Sequence, residues 1–118
     1  MKEQWTTWLT DKAAACEARR AALAADGRGD EAKFERIRVN VYDLFRTAAQ
    51  AIHRAQPDEA AAWRMFAQRL DDIPAAWQRS LDVAREHGDA EKAHIERVKL
   101  EAAEDIRRGY AALRGEQA

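Results

Sequence analysis

Cysteine, serine, proline and glycine are all scarce in this chain of 118 residues, and each shortage excludes something. A single cysteine, Cys16, rules out an internal disulfide and suits a reducing compartment. The only serine, Ser80, falls inside a long apolar-periodic stretch, so no serine-based catalytic arrangement can be assembled around it. Two prolines and five glycines leave long segments uninterrupted. None of these segments approaches the roughly 20 consecutive apolar residues of a membrane span. Charge of one sign is also lacking. Lys and Arg number 20 against 21 Asp and Glu, and the net charge of -1 creates no field that would draw the protein to nucleic acid or anionic lipid. The opening Met1-Lys2-Glu3-Gln4-Trp5 predicts no secretory signal, because charge returns at Asp11-Lys12 before an apolar core of useful length develops. The expectation is a cytoplasmic protein of bacterial type that engages neither membrane nor nucleic acid.

Alanine is what the chain has in excess, with 27 residues against 28 other apolar residues. It is the best helix former and lets helix axes approach closely, so the composition predicts an all-α protein with a thin, close-packed core. The length suits a single domain spanning 1–118.

Two matching joints divide that domain. Gly27-Arg28-Gly29-Asp30 and Gly88-Asp89 each follow one alanine-rich stretch and precede another. Glycine reaches the left-handed conformation that ends a helix, and aspartate accepts hydrogen bonds from the free amides that start the next. Helix 1 is expected over about 3–26, with Trp5, Leu9, Cys16 and Leu23 on one face. Helix 2 is expected from an Asp30 cap to about 55, carrying Phe34, Ile37, Val41, Leu44, Phe45 and Ile52. Pro57 suits the first position of helix 3, whose stripe runs Trp63, Phe66, Leu70, Ile73, Trp77, Leu81. That register passes straight through Pro74, which predicts a kink near 71–74 with both halves facing one core. Helix 4 follows Asp89 with Ile95, Val98, Ala102, Ile106, Tyr110 and Leu113, and a polar tail is expected over 115–118. Short joints make successive helices antiparallel. The expected fold is an up-down-up-down antiparallel four-helix bundle of two hairpins, about 3–55 and 58–114, with both glycine joints at one end. Trp5 and Trp8 match Trp63 and Phe66 at an offset of 58, and Glu35-Arg36-Ile37 resembles Glu96-Arg97-Val98 at 61. The offset shifts, so coincidence explains the likeness as readily as duplication. The first hairpin turn lacks the Trp-x-Gly that marks small bacterial WXG-type proteins, and no family is assigned.

Few residues combine into chemistry. The bundle puts His53 at the end opposite His87 and His94, roughly 30 Å away, so the three histidines cannot share a metal. Glu91 and His94 have the Glu-x-x-His spacing of di-iron bundles, but only one copy is present. Glu35 and Asp82 lie at a similar level and complete the one conceivable metal set; no cofactor is expected. Cys16 reads as a buried structural thiol. Tyr42, Phe45, Trp77 and Cys16 could line an apolar pocket where Pro74 bends helix 3 away from helix 2. Four tryptophans are many for this length. Trp5, Trp8, Trp63 and Phe66 are core by default, or an aromatic patch for a protein partner or a second copy. With no acid-base pair or activated nucleophile in place, the sequence reads as a non-enzymatic bundle acting through protein interaction or self-association. The alternative is a small-molecule or metal-binding bundle with its pocket at Pro74.

Overall fold

The computed structural model describes residues 2–117, and four helices account for nearly all of them. These are α1 (Lys2–Ala25), α2 (Gly29–Ala55), α3 (Glu59–Glu86) and α4 (Ala90–Gln117), with no strand among the described residues. Residues 115–117, where a polar tail is expected, continue α4, and Ala118 lies outside the described residues.

Both glycine joints close in the same way. Gly27 and Gly88 take φ of 74° and 67°. Arg28 N–H bonds Leu23 C=O at 2.9 Å and Gly27 N–H bonds Ala24 C=O at 3.1 Å; Asp89 to Ala84 and Gly88 to Arg85 repeat the pair at 2.9 and 3.2 Å. This double bond into the last turn, around a left-handed glycine, is the Schellman ending. The helix starts differ from expectation. Asp89 does cap α4, its Oδ1 accepting from Lys92 N–H at 3.0 Å. Asp30 does not cap α2, because Gly29 is already helical and Arg28 takes the capping position without a side-chain bond. Pro57 stands two residues before the first helical residue, Glu59, rather than at it.

The result is an antiparallel four-helix bundle in which α2 packs on all three other helices. It lies closer to α4 than to α3, while α1 touches α4 only lightly and shares no close backbone approach with α3. The parallel pair α2 and α4 therefore forms the short diagonal, and two seams flank it, α1/α4 on one side and α2/α3 on the other. Large apolar groups gather toward the end away from the glycine joints. Trp5 stacks on Trp8 with ring centroids 5.1 Å apart and meets Phe66 edge-on at 5.3 Å, and Tyr110 stacks on Phe66 at 5.8 Å. Nearer the joints, a separate small cluster of Leu81, Ala84 and Ala93 is buried between α3 and α4.

Two details tie α4 to its neighbours. Pro74 is buried within the continuous helix α3 and has no N–H, which leaves Leu70 C=O without its usual partner four residues on. Arg107 of α4 supplies one: its Nη2 donates to Leu70 C=O at 2.7 Å, and its Nη1 meets Asp71 Oδ1 at 3.1 Å. Gly109 is interior to α4 because the Trp8 indole lies against it; a Cβ there would fall 2.7 Å from Trp8 Cε2 and 2.8 Å from Cη2.

Two double-mutant cycles test these ties by thermal or urea unfolding. Arg107→Ala is expected to cost about 1 to 2 kcal/mol, since it orphans a carbonyl. In a Pro74→Ala background, where residue 74 regains its N–H, the same change should cost less than half as much. Gly109→Ala would favour a bare helix by about 1 kcal/mol, but expelling the indole costs about 1 to 3 kcal/mol. It should therefore destabilise the protein, and stabilise the Trp8→Ala variant.

Candidate functional site

The α2/α3 seam opens into a groove of about 220 Å³ lined by Ile37, Asn40, Val41 and Leu44 of α2, Trp77 of α3 and Lys99 of α4. Its lining follows from helix geometry. Ile37, Val41 and Leu44 lie one turn apart along α2, on the edge of an apolar stripe too wide for one neighbour to bury. Leu44 remains 43% exposed, and Trp77 is half-buried, its ring edge-on to Phe45 at 6.3 Å. Lys99 Nζ sits 5.8 Å from the Trp77 ring centroid and 3.2 Å from Glu96 Oε1. An apolar trough with one cation at its floor can accept a hydrophobic side chain and orient a polar neighbour.

Of the four residues expected to line a pocket, only Trp77 does so. Phe45 is wholly buried behind it. Tyr42 and Cys16 are buried toward the α1/α4 seam. Tyr42 Oη donates to Asp105 Oδ2 at 2.6 Å, and Cys16 Sγ accepts from Arg19 Nη2 at 3.1 Å. Burial, followed by the Asp105 carboxylate, pushes the Tyr42 phenol well above its ordinary value. Burial likewise raises the Cys16 thiol, an effect opposed by Arg19. Ile37, Asn40, Val41, Leu44 and Lys99 complete the groove. Leu44 was legible only as core, and nothing along the chain brings Lys99 to Trp77.

Trp5, Trp63 and Phe66, named as an aromatic patch, are at most 1% exposed within the chain. Trp8 alone of that set is half-buried, with Lys12 Nζ 5.1 Å from its ring centroid. The conceivable metal set does not assemble. Glu91 pairs with Lys33 at 2.7 Å, His94 packs edge-on against Phe34 at 4.3 Å, Glu35 bonds Arg38 at 2.9 Å and Asp82 accepts from Gln78 at 3.1 Å. Among the described residues, no three His, Cys, Asp or Glu side chains are placed to hold a metal ion. His87 Nδ1 contacts Val83 C=O at 2.9 Å, as a residue at a helix end does. No helix is long and apolar enough to cross a membrane among the described residues. No protein family, curated protein or solved structure matches the chain.

The two raised groups set a pH dependence. A folded pKa above the unfolded one adds stability that is complete below the unfolded value and is lost as pH rises through the folded one. With ordinary values of 9.0 for Cys16 and 10.0 for Tyr42, stability should hold to about pH 9 and decline above it. Urea midpoints from pH 8 to 11.5 test this. Tyr42→Phe should lower the midpoint at neutral pH and flatten its fall above pH 10.

Proposed function

We propose that the protein is a non-enzymatic binding module, and that it docks a protein partner through the α2/α3 groove. The observation that carries this reading is Leu44, a large apolar side chain left 43% exposed beside the half-buried Trp77. An exposed apolar group next to an aromatic wall is what an interface covers. The groove's volume of about 220 Å³ also favours a side chain of a protein. Pockets for whole small molecules are typically about 300 to 1,000 Å³.

The second reading, a small-molecule site beside Pro74, rests on the position of Trp77 one turn beyond that proline. A proline bend in α3 belongs to that reading, since it would part α3 from α2 at this level. A native mass spectrum that retains a ligand of defined mass would favour it.

The docking reading is tested with labelled protein and a helical alanine-based peptide of about 16 residues bearing one leucine. Saturable shifts are expected at the Trp77 indole N–H. Leu44→Asp should weaken the peptide at least tenfold while changing stability by no more than about 0.5 kcal/mol, because the site is exposed. Shifts that survive Leu44→Asp, or their absence in the parent, would remove the proposal. A dimer in the native spectrum that Leu44→Asp dissolves would make the partner a second copy.

A further inference from the structure

The two hairpins share one register. From α1 to the end of α4, buried positions recur 61 residues apart: Trp5 and Phe66, Leu9 and Leu70, Ala32 and Ala93, Val41 and Ala102, Phe45 and Ile106. The joint bonds recur at the same offset, as do the ion pairs Glu35 with Arg38 at 2.9 Å and Glu96 with Lys99 at 3.2 Å. Trp5 thus corresponds to Phe66, not to Trp63, and the 58-residue match is an accident of composition.

The repeat makes the α1/α4 seam the template of α2/α3 and the α1/α2 interface the template of α3/α4, and the copies differ at the counterparts of Lys12, Arg19, Glu101 and Asp105. Across α1/α4, Lys12 reaches Asp105 at 3.4 Å. Their counterparts across α2/α3 are Ile73 and Leu44, both apolar. Between α2 and α4, Arg38 approaches Glu101 at 4.0 Å, and the counterpart of Glu101 is Asn40. Most telling is the carboxylate itself. Glu35 is bonded on both oxygens, to Arg38 on Oε1 and to Arg19 Nε at 3.4 Å on Oε2. Glu96 is bonded on Oε1 alone; its Oε2 has no partner, although the side chain is only 6% exposed. The counterpart of Arg19 is Ser80, whose side chain is far shorter than an arginine. Glu96 also lines an open concavity of about 290 Å³ with Asp89, Glu91, Lys92 and Ile95.

A buried carboxylate oxygen without a donor is costly, and a donor that arrives with a ligand removes the cost. We infer that Glu96 receives a guanidinium from the docked partner, whose arginine takes the place that Arg19 holds beside Glu35. This rests on the docking reading above and specifies the partner's chemistry as a basic and apolar helical segment. Its apolar side chain covers Leu44 and Trp77, and its arginine lies about one turn away, because Lys99 links Trp77 to Glu96. Glu35 supplies the precedent for access: it too is largely buried, 12% exposed, yet Arg19 reaches it from the neighbouring helix α1.

Three alanine-based helical peptides test this against the labelled protein. One bears leucine and arginine four residues apart, the second replaces arginine by citrulline, which keeps the shape without the charge, and the third replaces leucine by alanine. The arginine peptide should bind at least tenfold tighter than the citrulline peptide and shift the amides of Ser80, Glu96 and Lys99. Glu96→Gln should erase that difference. Independently of any peptide, Ser80→Arg should raise the melting temperature in the parent but not in Glu96→Gln. Equal affinity for arginine and citrulline overturns the inference, as does a Ser80→Arg effect that ignores Glu96. If leucine remains essential in that case, the groove reading survives. Loss of leucine dependence, or no binding by any peptide, overturns both.

Discussion

Side-chain volume is the constraint on which this structure depends. A chain with nearly as many alanines as all other apolar residues has few groups large enough to fill the space between four helices. It concentrates them. Trp5, Trp63, Phe45 and Phe66 occupy one end of the bundle, where rings meet edge to face and bury most of what the chain has to bury. Toward the glycine joints the packing thins to alanine and leucine, and contacts between helices pass increasingly to ion pairs such as Lys33 with Glu91 and Arg19 with Glu35. A thin core holds α2 and α4 close, and the outer helices cannot cover both seams equally.

The seams show two solutions to that shortage. Around α1, Lys12 meets Asp105 of α4 and Arg19 meets Glu35 of α2, while Arg38 and Tyr42 of α2 meet Glu101 and Asp105 of α4, so the polar surface there is satisfied within the chain. Around α3 the corresponding positions are apolar or short, leaving an α2/α3 trough with a tryptophan wall and, between α3 and α4, a carboxylate half satisfied. Exposed ion pairs add little to stability. The difference therefore bears on what each face can bind more than on how firmly the bundle holds.

The helices, their order and the left-handed glycines were legible along the chain, because 3.6-residue periodicity and glycine geometry are local properties. Local competition misled where two residues offered the same service, as when Gly29 entered α2 and removed Asp30 from the capping position. Leu44 read as core because a stripe shows that a face is apolar, not whether a neighbour is wide enough to cover it. The partner of Leu70 C=O illustrates the other limit: Pro74 announces a free carbonyl, but only three-dimensional packing names Arg107. Gly109 is a local signal of packing, since a glycine inside a strong helix marks a close approach, here by the Trp8 indole. The proposed metal set failed for a related reason. Equal height in a bundle does not place side chains on converging faces: Glu35 turns to Arg19 of α1, while Asp82 is exposed and bonded to Gln78 of its own helix.

The uneven placement of the tryptophans also divides the molecule spectroscopically. Trp5, Trp8 and Trp63 form one contiguous group near the chain termini, with two indoles stacked. Trp77 stands apart, its recorded ring neighbour being a phenylalanine. Light emitted from the first group reports on the aromatic end as a unit. Trp77 is a single natural lamp set in the groove wall, so the surface of greatest interest carries its own reporter without any label being added.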